Sequence, residues 1–187
     1  YKSTDGGRSW SFTGLEDAGV IGKVVIHPAN PDVVYVAAVG HPFGPNKQRG
    51  LFRTTNGGKT WEIIYEKYNN EYNIRAIAYQ SPDLFIAVGE DTLILRTTNK
   101  GESWDKIPFD KTRYIGKIKM YDDKFGIALA TDRIDSTYFI ERYMTKDGGL
   151  TWEKMIPPKG YSWLDSAFVD DYQFLDSNTY VELIRVW

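Results

Sequence analysis

Two groups of residues in this chain have types and spacings that suit ligand chemistry. The first lies in residues 40–50, where His41, Phe43, Lys47 and Arg49 fall close together, stiffened by Pro42 and Pro45. Cations beside an aromatic ring suit bidentate capture of a carboxylate and stacking on a flat ligand. The second group pairs Asp132 with Arg133 in residues 131–136, and sets Tyr161 and Trp163 shortly after Lys159. Rings next to charges and amides serve a sugar face and a protein partner equally well. These eight residues are the candidate ligand-binding set, and no catalytic residue is assigned among them.

Hydrolytic chemistry is the alternative. Glycoside hydrolysis needs two carboxylates, about 5–10 Å apart according to stereochemical outcome. Glu16 or Asp17 with Asp132 or Asp135 are available for that role, but their spacing selects no pair. His27 precedes a proline at a strand end and reads as structural. Two histidines without companion carboxylates at ligand spacing give no metal site. Asp122-Asp123 and Asp170-Asp171 lack the rest of a calcium loop. There is no Gly-rich phosphate loop and no nucleophile elbow. No metal and no cofactor are therefore expected.

The elements that must position these residues are announced by an octapeptide written four times. It occurs as Ser3-Thr4-Asp5-Gly6-Gly7-Arg8-Ser9-Trp10, then as Thr54-Thr55-Asn56-Gly57-Gly58-Lys59-Thr60-Trp61. It returns as Thr97-Thr98-Asn99-Lys100-Gly101-Glu102-Ser103-Trp104 and as Thr145-Lys146-Asp147-Gly148-Gly149-Leu150-Thr151-Trp152. Asp or Asn closes tight turns on its own backbone. The second glycine position supplies a positive φ, and the tryptophan is expected to bury its ring while its N–H finds an acceptor. The tryptophans recur every 43 to 51 residues, a period suited to four-stranded propeller blades.

This octapeptide resembles the Asp-box of the bacterial-neuraminidase-repeat (BNR) propellers, a group that includes sialidases, xyloglucanases, sortilin-type receptors and photosystem II assembly-factor-like proteins. The resemblance covers nearly the whole chain. It implies an all-β fold of four-stranded antiparallel blades, with each box between strands three and four. It also implies that Ser3, Asp5, Gly7, Trp10 and their counterparts Thr54, Asn56, Gly58, Trp61, Thr97, Asn99, Gly101, Trp104, Thr145, Asp147, Gly149 and Trp152 are structural. A sialidase likeness would further imply an Arg-Ile-Pro near the start. The chain holds Arg-Ile only at Arg133-Ile134, followed by Asp135.

Between the boxes, short apolar or alternating runs bounded by turn residues read as strands, and no window carries a helical stripe. The expected order is a half-blade at 1–20, blades at 21–70, 71–113 and 114–160, and a half-blade at 161–187. The two halves either join to close a four-bladed ring or belong to a larger ring. A start at Tyr1 without Met, inside a repeat, favours a piece of a longer propeller that supplies the remaining blades. In such a meander the turns after strands one and three share one rim. Boxes then occupy one rim, and the eight candidate residues sit on loops of the opposite one.

Composition narrows the partners. The 23 Lys and Arg balance 25 Asp and Glu, which gives no basic stripe for nucleic acid or anionic lipid. There is no cysteine and hence no disulfide framework. No apolar run reaches the ~20 residues that span a bilayer. The leading expectation is a non-catalytic module that binds a glycan or an extracytoplasmic protein. A secreted, periplasmic or cell-surface location is implied by the family resemblance alone.

Overall fold

The computed structural model describes residues 1–27, 29–41, 47–66, 74–81, 83–109, 114–134, 137–156, 167–176 and 179–186, with backbone alone at 133–134, 137–138, 167–168, 170 and 184–186. Among these residues the only helical element is a 3-10 turn at Glu16–Ala18. All other regular structure is strand, as the short apolar runs dictate.

The strands fall into sheets in chain order. The first is β1 (Val20–Ile26), β2 (Val34–Gly40), β3 (Gly50–Thr54) and β4 (Glu62–Glu66), paired β1-β2-β3-β4. The second is β5 (Ile74–Tyr79), β6 (Phe85–Gly89), β7 (Ile94–Thr97) and β8 (Asp105–Lys106), paired in the same order. The third is β9 (Tyr114–Met120), β10 (Gly126–Ile134), β11 (Thr137–Thr145) and β12 (Glu153–Lys154). A last pair, β13 (Ala167–Phe174) with β14 (Tyr180–Val186), forms a two-stranded antiparallel sheet. Near the start, Lys2 bridges Ser11 across the first box turn. The chain divides into two compact units, Tyr1–Arg75 and Ala76–Trp187.

Each sheet is a meander because its connections are too short for a crossover. Its middle strands are buried on both faces, as their apolar residues require. In β10, Ala128 and Ala130 join the cluster of Ile86, Val88, Ile115 and Ile118, whereas Ile127 and Leu129 meet Val169 and Tyr172. The period of two along the strand thus feeds two cores at once. In the first unit Val36, Ala38 and Phe52 pack with Ala18 of the 3-10 turn. The fourth strands are exposed and short, down to two residues in β8 and β12.

Two expectations are corrected. Residues 131–134, expected in a loop, belong to a strand: β10 and β11 continue as a long ladder, with Asp132 opposite Phe139 and Arg133 opposite Tyr138. The reason is that Thr131, Ile134, Thr137, Tyr138 and Phe139 have strong strand preference, which carries the ladder past the charges. Nor are the box tryptophans uniformly buried. Trp10 is 62 % exposed, while Trp61, Trp104 and Trp152 are half-buried. Trp61 packs against the cluster of Ala18, Val36, Ala38 and Phe52, and Trp152 against that of Ile86, Ile118 and Tyr143, whereas Trp10 borders an open concavity with Phe12 and Ile26.

Candidate functional site

The box turns have one geometry, repeated four times. The hydroxyls of Ser3, Thr54, Thr97 and Thr145 accept the N–H of Gly7, Gly58, Gly101 and Gly149 at 2.7, 3.0, 3.1 and 2.8 Å. Each hydroxyl donates to the side-chain oxygen of Asp5, Asn56, Asn99 or Asp147. That oxygen then accepts the N–H of Ser9, Thr60, Ser103 or Thr151 at 2.9–3.0 Å. The path needs two successive left-handed residues. The second is always glycine, with φ between 82° and 90°, and the first is glycine except at Lys100, φ 62°. This is why the motif tolerates Lys at the one place and not the other.

In the three full sheets the residue after the Asp or Asn donates its N–H to the turn between strands one and two. Gly57 reaches the Asp32 carbonyl at 2.9 Å, Lys100 that of Asp83 at 3.4 Å, and Gly148 that of Lys124 at 2.8 Å. Within each of these sheets the box and the first turn therefore share a rim. The box carboxylates are spent on turn closure. Hydrogen bonds from the Ser9 hydroxyl and N–H and the Ser3 hydroxyl hold Asp5 down to a pKa of about 2. For Asp147, burial pushes upward but is outweighed by bonds from Thr151, Thr145 and Leu150, so its pKa is also lowered. Anions so held are poor general acids, which retain their proton near neutral pH.

On the opposite rim of the first sheet, the 40–50 insert is closed at its base. Gly40 (φ 78°) and Gly50 (φ 135°) turn the chain out and back. Any side chain at Gly50 would overlap the Tyr65 carbonyl oxygen of β4. Arg49 departs from the expected ligand-facing cation: it is buried, and its guanidinium donates to the His41 carbonyl at 2.7 Å, clamping the two ends of the insert. His41 and Lys47 are exposed, and Phe43 lies outside the described residues. Asp132 is half-buried within the β10 ladder. Arg133 stands next to it along the strand, opposite Tyr138 in the ladder. Tyr161 and Trp163 lie outside the described residues. Of the eight candidates, the structure brings His41 and Arg49 into contact and leaves Lys47 beside them on the same rim of the first sheet.

The carboxylates considered for hydrolysis belong to different elements. Glu16 and Asp17 are exposed on the 3-10 turn, Asp132 is in β10, and Asp135 is outside the described residues. The described residues hold no group of three metal-ligating side chains. His27 acts structurally, its Nδ1 accepting the N–H groups of Ala29 and Asn30 at 3.2 and 3.1 Å.

Sequence reasoning missed one feature of the first unit. Trp10, Phe12, Ile21, Val24, Ile26 and Trp61 line an open apolar concavity of about 890 Å³. Its signal was available in β1, where Ile21, Val24 and Ile26 do not follow a strict one-face alternation.

Repeated four-stranded sheets, each carrying this turn between its third and fourth strands, define the protein as a β-propeller built from Asp-box blades. Residues 22–158 match the family model of the photosynthesis system II assembly factor YCF48, and the protein belongs to that family. It is similar to the photosystem II stability/assembly factor HCF136, chloroplastic, of Arabidopsis thaliana, with 26% identity over 145 residues. That alignment covers 71% of this chain and 34% of the relative, so the chain spans about a third of that protein's length. Among solved structures, YCF48 bound to D1 peptide superposes with TM-score 0.54 at 22% identity, over 77% of this chain and 42% of that one. The GH74 xyloglucanase from Xanthomonas campestris gives TM-score 0.60 at 15% identity, over 87% and 26%. These likenesses establish the propeller fold.

Proposed function

We propose that this protein is a non-catalytic propeller module of an assembly factor, which recognises a polypeptide segment of its partner through the rim opposite the box turns. The observation that carries the reading is family membership over residues 22–158, since a solved YCF48 structure is described as bound to a D1 peptide. The local chemistry agrees with it. Turn closure occupies Asp5 and Asp147, while the opposite rim of the first sheet presents His41 and Lys47 on an insert that Arg49 braces. A braced loop loses little entropy on binding, which favours recognition by a preformed surface. Phe43, Arg133, Tyr161 and Trp163 belong to the proposed surface by their place in the repeat. The proposal includes an extracytoplasmic compartment.

The test sets the protein against immobilised D1 peptides and an unrelated peptide panel, with a glycan array and xyloglucan turnover in parallel. Selective peptide binding that weakens in Lys47→Ala and Phe43→Ala is expected. Hydrolysis abolished by removal of one carboxylate on this rim would overturn the reading, and so would glycan binding without peptide binding. Fractionation of the native host checks the compartment, and recovery in the cytosol alone would contradict that part.

A further inference from the structure

We propose that the Asn56-Gly57 peptide is a deamidation site whose aspartate product the fold accepts as a native box turn. Asn56 is exposed, and it is the one asparagine of the sequence followed by glycine. Glycine has no Cβ to hinder its own amide nitrogen as that nitrogen approaches the preceding side chain. The Gly57 nitrogen gives up its proton and bonds to Asn56 Cγ. The Cγ–Nδ2 bond breaks, and Nδ2 leaves as ammonia with that proton. Water then opens the cyclic imide. Hydrolysis at Cγ gives aspartate, and hydrolysis at the Asn56 backbone carbonyl carbon gives isoaspartate. The balance needs only water.

The native turn guards the reaction. The Gly57 N–H is donated to the Asp32 carbonyl at 2.9 Å. Asn56 is held at both ends of its amide, since Oδ1 accepts the Thr54 hydroxyl at 2.9 Å and the Thr60 N–H at 3.0 Å, and Nδ2 donates to Thr60 Oγ1 at 2.8 Å. Attack on Cγ requires these bonds to open, so the rate follows local opening of the turn.

Asp5 and Asp147 show what the acid does at this place. They keep the Oδ1 contacts, and Oδ2 accepts the hydroxyl of Ser9 at 2.6 Å or of Thr151 at 2.5 Å. At Asn56 the same exchange needs only that the Thr60 hydroxyl turn from acceptor to donor. Isoaspartate would instead insert a backbone carbon between the Thr54 hydroxyl and the Gly58 N–H that it binds at 3.0 Å. The first sheet thus has a box that converts from the Asn form to the Asp form without losing its turn.

The experiment incubates the full protein at mildly alkaline pH, folded and in denaturant. Peptide-mapping mass spectrometry and enzymatic isoaspartate labelling give the readouts. In denaturant, Asn56 should convert about tenfold faster than Asn99, whose successor Lys100 carries a side chain. Folding should slow Asn56 by about tenfold or more. Asn56→Asp should unfold within about 2 °C of the parent at neutral pH. Equal rates at Asn56 and Asn99 in denaturant would overturn the site. Equal rates at Asn56 with and without denaturant would overturn the guard. An unfolded or strongly destabilised Asn56→Asp would overturn acceptance of the product.

Discussion

Arg142 of β11 and Glu182 of β14 form a two-pronged ion pair, with Nε and Nη2 donating to the two carboxylate oxygens at 2.8 and 2.6 Å. Their side chains are 4 % and 8 % exposed, and Arg142 Nη1 also donates to the Ile140 carbonyl at 2.9 Å. The pair fastens the β13–β14 sheet to the third sheet. A buried pair repays its desolvation only when both partners are present. Arg142→Met alone, or Glu182→Gln alone, is expected to lower stability by about 3–5 kcal/mol. The double change Arg142→Met with Glu182→Leu should recover most of that loss. Denaturant unfolding of the three variants checks it, and a double variant as weak as the singles would contradict the account.

The tryptophans of equivalent boxes should differ in their contribution. Trp61 packs beside Val36 and Phe52, and its indole N–H donates to the Thr13 carbonyl at 2.5 Å. Trp61→Ala should destabilise by about 3 kcal/mol, the low end for such truncations because the ring is half-buried. Trp10→Ala, at an exposed ring whose N–H reaches only the Gly7 carbonyl of its own turn, should stay within about 0.5 kcal/mol. Thermal melts of both variants decide this.

Acid sensitivity should arise at two boxes and be absent from the other two. Asp5 and Asp147 titrate below the ordinary value of 3.8 when folded, so the unfolded protein binds more protons in that range. Their contribution is therefore complete above pH 3.8 and is lost as pH falls through the folded value, which is about 2 for Asp5. Asn56 and Asn99 hold the same turn without titrating. Asp147→Asn should flatten the stability profile as pH falls below about 3.8 and leave the turn intact, with the new amide donating to Thr151 as Asn56 does to Thr60. Stability measured against pH in parent and variant tests the sign; a profile as steep in the variant would refute it.

Gly50 should resist substitution more than its surface neighbours. Its φ of 135° lies outside the range that side chains favour, and a Cβ there would collide with the Tyr65 carbonyl. Gly50→Ala is expected to cost about 2 kcal/mol or more and to disturb the β3–β4 ladder. Amide exchange at β3 and β4, faster in the variant, is the direct readout. Lys47→Ala, at a nearby exposed position, should leave that exchange unchanged.

The sequence reached the fold through residues whose roles are local. A hydroxyl, an Asp or Asn, a glycine and a hydroxyl within one octapeptide specify the hydrogen bonds that close the box turn on itself, so Ser3 to Ser9 or Thr145 to Thr151 can be read without tertiary knowledge. Strand positions were legible for the same reason, because side-chain alternation is a property of the strand itself. Strand ends were less so. The hairpin of β10 and β11 runs on through Asp132 and Arg133 because cross-strand pairing with Phe139 and Tyr138 outweighs the turn preference that charged residues suggest.

The candidate site was legible only as composition. Arg49 reads as a ligand-facing cation until the path of the backbone returns it to His41, and that return is fixed by Gly40 and Gly50. Pairings such as Arg142 with Glu182, 40 positions apart, leave no mark in sequence spacing. The sequence by itself thus determined the repeat, the turn chemistry and the all-β class, since each follows from bonds between residues a few positions apart. Tertiary structure alone decided which tryptophans are covered, which charges are paired and which loop residues face solvent, because burial depends on neighbours that different sheets supply.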